Sequence, residues 1–168
     1  MSRDSALRAL AILIAVAWLL SAGLGIYYAW QVDQDTTANL NRSVQASNAE
    51  DMKGYLIDAR NGMEAWGYTS GHYAVIFTTP QNDAARDYQA VTRMIDRLDK
   101  VEHQDQSSTS YQVAMDDIRG TIRDSEWRPY THWTIHSTPF AVMWWFPWSG
   151  WAFAGGVWVL ADILGGDW

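Results

Sequence analysis

Two of the four histidines, His132 and His136, stand four residues apart in the run His132-Trp133-Thr134-Ile135-His136. On a helix that spacing puts both imidazoles on one face, where they could grip a metal ion, a haem iron or a chlorophyll magnesium. A zinc centre would need a third and usually a fourth ligand, and the glutamate of an HExxH motif is missing. His72 and His103 are far away in sequence and could join only through the tertiary fold. The competing reading is that both imidazoles hydrogen-bond backbone or lipid headgroups at a membrane surface. His132 and His136 are therefore the candidate cofactor contacts, with haem, metal or chlorophyll as the candidate groups and no cofactor as the alternative.

Little else in the chain could do chemistry. Arg128, in Glu126-Trp127-Arg128-Pro129-Tyr130, could pair with a lipid phosphate or a partner's carboxylate. It also fits a basic helix end, favoured by the macrodipole and stopped by Pro129. Asp116-Asp117 and Glu50-Asp51 are adjacent acids, and neighbouring helical positions diverge by about 100°, so neither pair forms a dyad. They read as solvated faces. No Ser-His-Asp order, phosphate-binding glycine loop or EF-hand pattern is present. The absence of cysteine removes disulfides, thiolate zinc sites and iron–sulfur clusters. Nothing here supports catalysis by this chain alone.

Eleven tryptophans in 168 residues are unusual. Five of them, Trp144, Trp145, Trp148, Trp151 and Trp158, fall in Phe140–Ala161, an uncharged run of 22 residues. Indole N–H groups want partners, so tryptophan prefers the membrane interface or a protein contact to the hydrocarbon centre. Pro147 removes a helical hydrogen bond, and Gly150, Gly155 and Gly156 permit close approach of a neighbour. This segment could span a membrane or lie in its interface as a re-entrant stretch. Asp162 and Asp167 are the only charges after it, so no cationic flank marks a cytoplasmic end. The five tryptophans are candidate partner contacts. Tyr73 and Phe77 join them, because Gly67–Pro80 is too apolar for a simple solvated loop and could cap a bundle or touch a membrane or partner.

The elements that must position these residues follow from periodicity. Ala9–Trp30 has 22 residues without a charge. At about 1.5 Å per residue it reaches roughly 33 Å, enough to cross a hydrocarbon core. Arg3 and Arg8 precede it, and Asp33 and Asp35 follow, which places the N-terminus in the cytoplasm. A cleaved signal peptide with processing near Ser21-Ala22-Gly23 is the rival, but the run is longer than a typical signal core. Residues 31–137 carry 16 acids and 10 Lys plus Arg. Three helical stripes run through them. The first extends from Asp33 to Trp66 through Leu40, Val44, Met52, Leu56, Ala59 and Met63, and could continue the membrane helix as one rod. The second opens at Thr79-Pro80 and carries Tyr88, Val91, Ile95 and Leu98. The third carries Tyr111, Met115, Ile118 and Ile122, and the polar linker His103–Ser110 folds it back on the second. The expected fold is an all-α membrane protein: cytoplasmic residues 1–8, a transmembrane helix at 9–30, a three-helix extracytoplasmic bundle at 31–137, a Trp-rich membrane segment at 138–164, and a tail at 165–168.

A net charge of −7 argues against nucleic acid as a partner. Only Lys53 and Lys100 are lysines, and only Glu50, Glu64, Glu102 and Glu126 are glutamates among the 19 acids. Such a surface suits high salt, and biased genome composition explains it equally well. The expected role is a non-catalytic accessory subunit of a larger respiratory, photosynthetic or substrate-oxidising membrane complex. Its partners would be other membrane-protein subunits and the lipid bilayer. Its place would be a bacterial inner or intracytoplasmic membrane, with the main domain in the periplasm. A second role is a sensor or signal modulator: the layout of anchor, helical ectodomain and second span is loosely similar to the ligand-binding modules of bacterial chemoreceptors. That similarity is of layout alone, and no output domain follows the second span. A haem-, metal- or pigment-binding subunit using His132 and His136 is the third.

Overall fold

The computed structural model describes residues 3–74, 77, 79–137, 155, 156, 158, 159 and 162. The chain divides into two compact units, one of residues 29–136 and one of residues 1–28 with 137–168. Among the described residues the structure is helical apart from one isolated bridge, and six α-helices run α1 (Arg3–Asp35), α2 (Thr37–Gln45), α3 (Ala49–Ala65), α4 (Ala84–Val101), α5 (Thr109–Asp124) and α6 (Pro129–His136).

Helix α1 is apolar around its circumference over most of its length, without the one-sided stripe of a helix packed on a core. Ile12, Leu13, Val16, Leu19, Leu20, Leu24 and Ile26 all expose 40% or more of their surface. It is the helix, among those described, that is long and apolar enough to cross a membrane.

In residues 29–136, α2 packs on α3, α3 on α4, α4 on α5, and α5 closes back on α2. The expected rod from Asp33 to Trp66 does not form. A tight kink at Thr36 separates α1 from α2, and the chain then turns at Ala46–Asn48, where Ala46 is extended and Asn48 begins α3. The three expected helices are thus four. Asn48 holds the break open: its Oδ1 accepts from Asp51 N at 2.7 Å while its Nδ2 donates to Asp51 Oδ2 at 2.9 Å. This satisfies an N-terminal amide that helix geometry leaves without a partner. Helix α5 secures the same corner, with Ala49 N donating to the Tyr111 hydroxyl at 2.7 Å and Arg119 Nη2 to Ala46 O at 2.9 Å.

The apolar stripes meet inside. Leu40, Met52, Leu56, Ala59, Met63, Val91, Ile95, Leu98, Tyr111, Met115, Ile118 and Ile122 are buried in one core, while Val44 and Tyr88 pack partly against it. Arg97 on α4 pairs with Asp117 on α5, ten residues either side of position 107, as an antiparallel hairpin requires. The start of α4 also differs from expectation. Pro80 opens only a single 3₁₀ turn, and the Thr79 side chain caps nothing. Asp83 is the true cap, accepting from Ala85 N at 2.9 Å.

Gly62 explains how the end of α1 reaches this core. A Cβ there would lie 2.1 Å from Asp35 O, so only hydrogen fits. Trp66 Nε1 donates to Asp35 Oδ2 at 2.9 Å one turn further along. A glycine inside a helix costs about 1 kcal/mol against alanine, and this close approach offsets that loss.

Candidate functional site

The segment from Gly67 to Ala74 is where sequence reasoning left most open. Gly67 and Gly71 have positive φ (71° and 85°), a backbone conformation that glycine adopts without steric cost. Those two reversals turn Tyr68 and Tyr73 inward, where they are 0% and 6% exposed and stack at 6.0 Å. Tyr73 is thus a core residue in this chain, its hydroxyl donating to Gln81 O at 2.7 Å. Phe77 lies outside that core, 79% exposed. The segment is fixed to the start of α4 by an antiparallel bridge between His72 and Asp83, with Tyr73 N donating to Asn82 O and Ala84 N to Gly71 O.

Helix α6 docks on this segment through its histidines. His132 Nε2 lies 2.8 Å from Ser70 O, and His136 Nε2 lies 2.9 Å from His72 O. A carbonyl only accepts, so each Nε2 carries the proton. The spacing has a simple origin. Four residues of helix rise about 6 Å, and two residues of extended chain cover about 6.6 Å, so an i,i+4 imidazole pair matches carbonyls two residues apart. His72 extends the series within its own segment, with Nδ1 donating to Ala74 O at 3.1 Å.

Three imidazoles therefore cluster. The ring centres of His132 and His136 are 4.3 Å apart, those of His72 and His136 5.8 Å, and His132 meets Tyr68 edge-on at 5.1 Å. A Cβ on Gly71 would stand 3.4 Å from both Nε2 atoms, so the backbone passes directly beneath the pair. His132 is 4% exposed, and its Nδ1 is buried without a hydrogen-bond partner. Burial and the two neighbouring imidazoles push its pKa below the ordinary histidine value. Among the described residues no group of three or more His, Asp or Glu side chains is disposed to hold a metal ion. The geometry assigns the recorded imidazole nitrogens of His132 and His136 to loop carbonyls.

Behind the cluster, Tyr68 donates to the Asp87 carboxylate. Burial raises the Asp87 pKa, and the Tyr68 hydroxyl opposes that rise. Burial and the adjoining carboxylate raise the Tyr68 pKa in turn. The partner of Asp87 is thus a tyrosine nineteen residues earlier, turned inward by glycines.

The remaining candidates are less informative. Trp144, Trp145, Trp148 and Trp151 lie outside the described residues, and Trp158 is 71% exposed. Arg128 pairs with Glu126 at 2.8 Å. Asp116 and Asp117 are exposed and paired with Arg119 and Arg97, as solvated faces would be. His103 is exposed beside Glu102, far along α4 from the other three histidines. Neither a protein-family model, nor a curated protein, nor a solved structure matches this chain.

Proposed function

We propose that this chain is a non-catalytic accessory subunit of a larger membrane complex, anchored by α1 and presenting residues 29–136 outside the cytoplasm. One observation carries the reading. Among the described residues, nine of the thirteen large apolar side chains that stand exposed belong to α1. An apolar surface of that extent marks a lipid or protein contact in the membrane, since water would penalise each side chain by about 1.5–3 kcal/mol. The helical unit, by contrast, seals its own core, and beyond α1 only Phe77, Val113 and Tyr130 of its described large apolar side chains stand exposed. Its partners are other membrane subunits and lipid, in a bacterial inner or intracytoplasmic membrane with the helical unit in the periplasm. The Trp-rich run at 140–161 would supply further partner contacts, stacking area together with indole donors.

Gentle extraction of native membranes, a native gel and mass spectrometry of the band test this reading. Co-migration with a large complex at fixed stoichiometry is the expected result. Migration alone or as a small homo-oligomer contradicts it.

A second reading rests on a different feature. A cleft of about 970 Å³ lies between α2 and the end of α5, lined by Thr37, Asn41, Gln45, Arg123, Trp127 and Arg128. Its amides, the Arg123 guanidinium and the indole wall suit a small polar ligand, as a sensor's ectodomain requires, with Glu126 in the same lining already paired to Arg128. Ligand-dependent thermal shifts abolished by Arg123→Ala would favour this role over the first.

A further inference from the structure

We propose that His72, His132 and His136 form an acid-released latch that holds α6 on the Ser70–Ala74 segment at neutral pH and lets go when the cluster takes up protons.

The closed state needs a neutral His132. The three imidazoles each donate one N–H to a backbone carbonyl, of residues 70, 72 and 74. A second proton on His132 would have to sit on Nδ1, which is buried and meets no acceptor. Its charge would also stand 4.3 Å, centre to centre, from the His136 ring. Burying an unpaired charge beside like charges is strongly unfavourable, so the proton is taken up with opening.

The surrounding groups do not relieve this. Helix α6 itself carries no carboxylate, and the charge of Arg128, just before it, is already paired with Glu126. The loop contributes His72, Tyr68 and Tyr73, which bring no negative charge at neutral pH. On α4, Asp83 spends a carboxylate oxygen capping the helix, and Asp87 lies behind Tyr68, which donates to it. Among the described residues, neither carboxylate forms an ion pair with the three rings.

The direction follows from linkage. The His132 pKa is lowered in the closed state, so the open state binds more protons once pH falls below the ordinary histidine value of about 6.5. Closure is complete above that pH and is lost as pH drops through it. Asp87 works the other way, since burial raises its pKa in the folded state, so proton uptake there favours closure and a loss of protection on acidification belongs to His132. The latch joins two stretches of chain sixty-odd residues apart, and α6 is the last described helix before the Trp-rich run begins at Phe140. Acid would therefore loosen the chain leading into that run while the α2–α5 core stays packed.

Hydrogen exchange of the 168-residue chain in nanodiscs tests the latch. Peptides covering 67–74 and 129–137 are followed from pH 7.5 to pH 5, with rates corrected for intrinsic exchange. Their opening equilibrium is expected to rise below pH 6.5, approaching about tenfold per pH unit for each proton taken up, while α3 and α5 peptides stay flat. In H132Q/H136Q, glutamine can donate to the same carbonyls but cannot take up a proton. Protection should persist and the slope should collapse. A flat wild-type profile overturns the latch, and so does an unchanged slope in the double variant. If H132Q disturbs the fold, as far-UV circular dichroism would reveal, H132N decides. A reduced slope supports the latch and an unchanged one overturns it.

Discussion

Helix α1 and helix α3 use similar apolar residues to opposite ends. In α3, Met52, Leu56, Ala59 and Met63 fall on one stripe and are wholly buried, while Glu50, Asp51, Asp58 and Glu64 face water. In α1, Leu13, Leu19, Leu20 and Ile26 point in different directions and are each at least half exposed. A helix with one apolar face needs a protein core, whereas a helix that is apolar all round needs a solvent that is itself apolar. The difference lies in the arrangement of side chains, more than in their hydrophobicity.

Substitutions can break or sharpen this contrast. The largest effect is expected in the core: Leu56→Ala should destabilise residues 29–136 by about 2–5 kcal/mol, measured by chemical denaturation in detergent. A stability change below about 0.5 kcal/mol would mean that the α3 stripe does not carry the fold. Next comes Leu19→Arg, placed within the apolar length of α1. It should cost about 2.5–3.5 kcal/mol in an insertion assay while leaving the denaturation midpoint of the helical unit unmoved. If the midpoint falls instead, α1 packs as a core helix and the contrast fails. Gly62→Ala should destabilise by about 1–3 kcal/mol, because the added methyl must displace the Asp35 backbone. Stabilisation, the usual outcome of removing a helical glycine, would show that this approach is looser. The smallest effect belongs to Asn48→Ala, about 1 kcal/mol from loss of the α3 cap. Thermal unfolding is sufficient to detect it, and a neutral result would leave the α2–α3 corner to Arg119 and Tyr111.

What the sequence made legible was whatever repeats locally. The stripes of α4 and α5 stood out because every third or fourth residue is apolar, and their burial follows. The corner at 46–48 was missed because Leu40, Val44 and Met52 look like one stripe, although the gap of eight from Val44 to Met52 and the pattern Asn48-x-x-Asp51 both mark a break. Thr79-Pro80 looked like the better cap by composition, yet Asp83 is the residue whose carboxylate reaches the first free amide. The histidine pair was visible through its spacing of four. Its acceptors were not, because the carbonyls of Ser70 and His72 carry no side-chain signature and lie more than sixty residues earlier. Whether Gly67–Pro80 covers the bundle's end or meets a membrane or partner was open for a similar reason: two positive-φ glycines, whose conformation composition does not announce, turn Tyr68 and Tyr73 inward.

The lipid-facing character of α1 is the claim on which the rest depends, and a chain without cysteine allows a direct test. Single cysteines at Leu20 and Asp96 can carry spin labels in the protein reconstituted into bilayers, with accessibility to oxygen and to a water-soluble nickel chelate compared at each. The account predicts high oxygen and negligible nickel accessibility at position 20, and the reverse at position 96. Ready access of the nickel chelate to position 20 would contradict it.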